Sequence, residues 1–166
     1  MPYLIDGHNL IPKIPGLMLE DVDDENQLLE LLIKFCQHQG KQAEVFFDNA
    51  PPGGVRARNY GMLVARFVRQ GTPADEAIRG RLVRLGKAAR NWTVVSSDQE
   101  IQVEARAVRA HYISSEAFAD LLLKTLDEAH KDKGYHEKNL MEHEENNMDP
   151  KEIDDWLKLF NSEDRD

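Results

Sequence analysis

Tyr3-Leu4-Ile5-Asp6-Gly7-His8-Asn9 opens with an apolar run that ends on a carboxylate and breaks at a glycine. The same handover recurs in Val45-Phe46-Phe47-Asp48 and in Val94-Val95-Ser96-Ser97-Asp98. A fourth acidic cluster, Asp75-Glu76, starts a helical pattern at Thr72-Pro73-Ala74. Short apolar runs alternating with amphipathic stretches predict parallel strands joined by crossover helices, with both sheet faces covered. In such sheets ligands sit beyond the carboxyl ends of the strands. Carboxylates gathered there repel one another unless a cation lies between them. All-oxygen ligation suits Mg²⁺ or Mn²⁺, whose usual substrate is a phosphate. The pattern points to metal-dependent phosphodiester chemistry.

Around these handovers, strands are expected over 2–5, 43–47, 61–68, 92–95 and 111–113. Helices are expected over 24–39, 73–87, 98–108 and 115–126. Thr72 is placed as N-cap of the second helix, with Pro73 at its first position and Asp75 completing a capping box. Ser97 or Asp98 caps the third. Pro51-Pro52-Gly53-Gly54 is a loop. Domain boundaries follow the change of character at Asp127. Residues 1–126 form the catalytic-type domain, 127–147 an acidic polar segment that is either a solvated helix or a disordered linker, and 148–166 a tail. Asp149, Pro150 and Glu152 in the tail start a short amphipathic helix whose stripe is Ile153, Trp156, Leu157 and Phe160. That helix either packs on its own domain or docks on a second copy or another protein.

The formal charge of −9 is unevenly spread. Residues 127–166 carry −8, whereas residues 51–90 carry nine bases against Asp75 and Glu76 only. A basic stretch beside candidate metal carboxylates suits a polyanion, although a solvated helix face that balances acids elsewhere explains it equally well. Within the block, Arg66, Arg69 and Arg79 are the candidate phosphate contacts. The single Cys36 excludes an internal disulfide and fits a reducing cytoplasm. No apolar run approaches the ~18 residues of a membrane span, and the first residues do not read as a signal peptide. No membrane partner is expected.

Each carboxylate has a plainer reading. Asp6-Gly7 is an ordinary turn pair. Asp48 precedes a proline-rich loop. Asp75 and Glu76 favour a helix N-terminus electrostatically, and Asp98 is a good N-cap. Capping alone explains less well why all fall at one sheet edge. Gly7 is expected to let the backbone turn sharply or approach a ligand, Asn9 to add a neutral oxygen ligand or a hydrogen-bond donor, and His8 to be an exposed loop residue, with substrate contact as the alternative. There is no phosphate-binding glycine loop and no nucleophile elbow.

Leu4-Ile5-Asp6-Gly7-His8-Asn9-Leu10, Phe46-Phe47-Asp48, Gly71-Thr72-Pro73-Ala74-Asp75-Glu76-Ala77-Ile78 and Val94-Val95-Ser96-Ser97-Asp98 resemble, in the expected order, the NYN branch of the PIN-like nucleases, closest to the bacterial YacP-like group. The resemblance covers roughly residues 1–126 and finds no counterpart for the tail. It implies a three-layer α/β/α fold with a mostly parallel five-stranded sheet of order 3-2-1-4-5. It also implies an acidic pocket of Asp6, Asn9, Asp75, Glu76 and Asp98 with Asp48 as a neighbour, a divalent metal, and endoribonuclease activity on single-stranded RNA, with mRNA on the ribosome among its targets. The metal falls to Asp6 and Asp98 with Asp75 or Glu76. Hydrolysis by water leaves 5′-phosphate and 3′-hydroxyl ends. The competing expectation is a non-catalytic RNA-binding or ribosome-associated adaptor. A haloacid-dehalogenase-type phosphatase fits poorly, because it needs a second Asp where His8 stands.

Overall fold

A computed structural model describes residues 1–19, 22–50, 56–69, 71–147 and 151. The strands are β1 (Tyr3–Asp6), β2 (Ala43–Ala50), β3 (Ala57–Tyr60), β4 (Leu63–Arg69), β5 (Thr93–Val95) and β6 (His111–Ile113). The helices are α1 (Gly7–Leu10), α2 (Val22–Gln39), α3 (Ala74–Leu85), α4 (Gln99–Ala107) and α5 (Ser115–Asn147). By contacts the chain divides into two compact units, Met1–Leu126 and Asp127–Asp166.

The first unit is built on one six-stranded sheet of order β3-β4-β2-β1-β5-β6. Its five parallel strands, β4-β2-β1-β5-β6, follow the expected order. The sixth, β3, is antiparallel to β4 and was not expected. It is a polar, mostly exposed edge strand, Ala57-Arg58-Asn59-Tyr60, without apolar alternation. Charge on an edge strand discourages pairing with other chains. The hairpin turns at Gly61, whose φ of +77° favours glycine, so the expected strand over 61–68 starts later, at Leu63.

Alternation along β1 and its neighbours sends side chains to two cores. Tyr3, Ile5, Val45, Phe47 and Val95 meet Leu28, Leu32, Phe35 and Cys36 of α2 and Phe118 and Leu122 of α5. Leu4, Phe46 and Val94 meet Ile78 and Leu82 of α3 and Ile101 and Ala105 of α4. The result is a three-layer α/β/α arrangement. Asp6 and Asp48 share the parity of Leu4 and Phe46, so both carboxylates emerge on the α3 side of the sheet.

The segment over 127–147 is helical, the last part of α5. Within the second unit Asp127 and Lys131 pair at i, i+4, 2.9 Å apart. Among the described residues no helix is long and apolar enough to cross a membrane. The expected Pro51–Gly54 loop and the expected amphipathic tail helix lie outside the described residues.

Candidate acidic site

β1 delivers Asp6 to the carboxyl edge of the sheet, where it is only 8% exposed. Its carboxylate caps α1 by accepting the Asn9 N–H at 3.3 Å. Burial raises its pKa most; the Asn9 bond opposes this and the charge of Asp48 adds to it. His8 lowers the value again, Asp75 raises it, and the net result is about 6. The next residue must be glycine for a reason of packing. A Cβ on Gly7 would lie 2.5 Å from a ring carbon of Phe47 and 2.8 Å from the Phe46 carbonyl oxygen. Gly7 is not among the glycines with positive φ. The expectation of a sharp turn or close ligand approach is replaced by contact with β2.

Asp48 holds the start of α3. Its Oδ1 accepts the Ala74 N–H at 2.5 Å. Thr72 does not cap this helix; Pro73 holds the cap position and makes no side-chain cap bond. The cap comes from another strand, which fixes α3 against β2 directly.

His8 is half-buried rather than the exposed loop residue expected. Its Nε2 lies 3.0 Å from Glu25 Oε1 on α2. Its Nδ1 accepts the Asp48 backbone N–H at 3.0 Å and lies 3.2 Å from Asp48 Oδ2. With Nδ1 accepting, the proton belongs on Nε2, donated to Glu25. That bond is the main reason the His8 pKa is raised; burial opposes it and the charges of Asp48 and Glu25 assist.

Asn9 ties the neighbouring loops together. Its side-chain oxygen accepts the Ser97 N–H at 2.8 Å and the Ser115 hydroxyl at 2.6 Å. Ser97 in turn accepts the Ser115 N–H at 3.0 Å and donates to Glu116. Glu116 also pairs with Lys13 at 2.9 Å, and these partners hold its pKa down at about 2. Glu25 and Glu116 had no signal in the sequence, and Ser97 was expected only as a helix cap, because their partners lie far along the chain.

Asp75, in the first turn of α3, acts on Asp6 through its charge and lies 3.8 Å from Arg79 Nη2. Glu76 is exposed and, one residue on, projects about 100° away around the helix. Asp98 caps α4, accepting the Glu100 N–H at 2.9 Å. The carboxylates that weigh most on Asp6 are Asp48 and then Asp75. Among the described residues no three of His, Cys, Asp and Glu lie close enough to hold a metal ion together.

The arginines divide. Arg69 stands at the carboxyl end of β4, at the same sheet edge as Asp6. Arg79 also pairs with Glu100 at 2.7 Å, and its buried Nε has no partner. Arg66 is drawn elsewhere. With Arg81 it grips Glu44, at 3.0 and 2.7 Å, between the sheet and α3. Burial alone would raise the Glu44 carboxyl; the bonds from Arg81 and Arg66 outweigh it and hold it below the usual range.

A family model described as "YacP-like NYN domain" matches residues 3–161. The chain belongs to that family. The match runs beyond residue 126, so the tail does have a counterpart in the YacP-like pattern. The family is of PIN-like nuclease type, which connects this YacP-like chain with RNA. The crystal structure of Rae1 (YacP) from Bacillus subtilis is similar with a TM-score of 0.71 and 17% identity, covering 99% of this chain and 95% of that one. A mutant form of the same protein, with a tryptophan replaced by leucine, gives a TM-score of 0.64 and 20% identity over 78% of this chain and 79% of that one. At these identities the likeness is one of fold. Comparison with curated protein sequences gives no match.

Proposed function

We propose that this YacP-like chain is a divalent-metal-dependent endoribonuclease acting on single-stranded RNA in the cytoplasm. The observation that carries the reading is Asp6, a buried carboxylate at the sheet edge whose pKa is lifted to about 6 by burial and by neighbouring acids. A cation is the natural partner for such a group. The donors fit an ion held by one or two carboxylates and otherwise by water, which is how Mg²⁺ commonly binds. Asp6 and Asp75 would hold it, with Asp98 reaching it through water. When bound, a divalent cation polarises the scissile phosphate and makes a water more acidic.

The chain's own residues do the remainder. Asp48 keeps α3, and with it Asp75, in place. The Asn9 bonds to Ser97 and Ser115 hold three connections together at the sheet edge. Arg69, and Arg79 when released from Glu100, would hold flanking phosphates without reading bases. Arg66 contributes little here, since it is held at Glu44 beside Arg81.

The second reading, an RNA-binding adaptor without cleavage, is favoured by the lack of three converging ligands among the described residues. Incubation of mixed RNA with Mn²⁺ or with chelator decides between them. The nuclease reading expects Mn²⁺-dependent fragments with 5′-phosphate ends, lost in Asp6→Asn. RNA retained intact by the unaltered protein would defeat it.

A further inference from the structure

The bases of this region have different neighbours. Arg66 and Arg81 share the carboxylate of Glu44, and Arg79 pairs with Glu100 and Asp75. Lys87, Arg90 and Arg109 have no ion pair among the described residues, and they line one groove of about 720 Å³ whose lining includes no carboxylate. The groove lies between the ends of α3 and α4. Its aliphatic surface comes from Leu82, Val108 and Val83, the last 74% exposed. α3 starts at Ala74, where Asp48 caps it, and has 12 residues, so it carries the chain about 18 Å to the opposite edge of the sheet.

Two details place charge on both sides of this trough. Lys87 and Arg90 stand three apart in the 3-10 turn Gly86–Asn91, a spacing that stacks them on one face. Arg109 follows the end of α4 with φ of +61°, the one positive φ at a non-glycine residue among those described. The backbone there closes the helix, with the Ala110 N–H on the Ala105 carbonyl at 2.8 Å. Glycine is the residue usually found at such a position. An arginine tolerated in this conformation lines the same groove as Lys87 and Arg90, and strain of this kind often marks use.

We propose that this groove is a second RNA-binding surface, which takes the phosphate backbone of a strand at the sheet edge opposite the acidic site. The proposal rests on the RNA reading above. Three unpaired cations along an open trough fit repeating phosphates, and the aliphatic floor suits ribose and base faces without selecting among them. It explains how an acidic protein can hold RNA although its most prominent arginines are internally paired.

The test uses the full chain and a fluorescently labelled, unstructured RNA long enough to span both edges. Each phosphate contact on a single strand adds about 0.7 to the log–log salt slope. Lys87→Gln/Arg90→Gln/Arg109→Gly should therefore lower the slope by about 2 and weaken binding about 100-fold at about 0.1 M salt. Arg109→Gly alone should weaken binding about 5-fold yet raise the urea midpoint, because glycine relieves the positive φ. A damaged fold cannot produce that pair of changes. Unchanged affinity and slope in the triple variant overturn the proposal. So does a triple variant that keeps RNA but loses a polyglutamate probe, which would make the groove a site for acidic protein. Failure of the unaltered chain to bind RNA at any salt concentration would instead remove the RNA reading itself.

Discussion

Replacing Asp6 by asparagine should stabilise the fold while removing its activity. In the folded protein the Asp6 carboxyl is lifted from 3.8 to about 6, first by burial and then by the charges of Asp48 and Asp75. One pKa unit corresponds to about 1.4 kcal/mol, so keeping this carboxylate ionised costs about 3 kcal/mol at neutral pH. A raised folded pKa means that the fold prefers the proton. The favourable contribution is complete below 3.8 and is lost as pH rises through about 6. Asparagine carries no charge at any pH, matches the shape, and retains an oxygen for the Asn9 N–H. It is also a strong N-cap. Urea unfolding in chelator should find Asp6→Asn more stable by up to about 3 kcal/mol at about pH 8, with the gap closing towards about pH 4. Mn²⁺ should then raise the stability of the unaltered protein and leave the variant unmoved, because a ligand stabilises only the state that binds it. Equal stabilities at all pH values, or a gap that widens in acid, would refute the reasoning.

Three further substitutions probe the surroundings. Gly7→Ala should cost about 1–3 kcal/mol in urea unfolding, because its Cβ has no room beside Phe47 and the Phe46 carbonyl. Asp48→Ala should lose the α3 cap, about 1 kcal/mol, whereas Asp48→Asn should keep most of it. Both should lower the Asp6 pKa, read by carboxyl-carbon NMR titration, since a negative neighbour is gone. Glu44→Gln should cost about 1.5–3 kcal/mol through weakened bonds to Arg66 and Arg81. Because the Glu44 pKa is lowered, that penalty should be full above 4.5 and shrink as pH falls through the folded value.

The central parallel strands were legible because they are largely buried on both faces and therefore read as apolar runs. β1 and β2 are of this kind, and their order came with the family resemblance rather than from periodicity. β3 was illegible for the opposite reason. An exposed edge strand of Ala57-Arg58-Asn59-Tyr60 buries little and needs no alternation. At the site, the positions of Asp6 and Asp98 at strand ends followed from local pattern alone, including Asp98 as a cap. What local pattern could not supply was the choice of partner. Thr72 is the nearest capping residue to α3, but Asp48, far back in the chain, takes that role. Glu44 sits inside an apolar strand, and only the placement of α3 reveals that Arg66 and Arg81 meet there. The arginine block looked uniform as sequence, yet its members end with different neighbours.

The Asn9 side chain binds Ser97 and Ser115, residues 88 and 106 positions further along. Bonds of such separation form late, after the intervening chain has been ordered. The edge that holds Asp6 and Asn9 cannot close until β5, β6 and the start of α5 are also in place. The activity proposed for this edge therefore depends on three distant stretches of chain being ordered together.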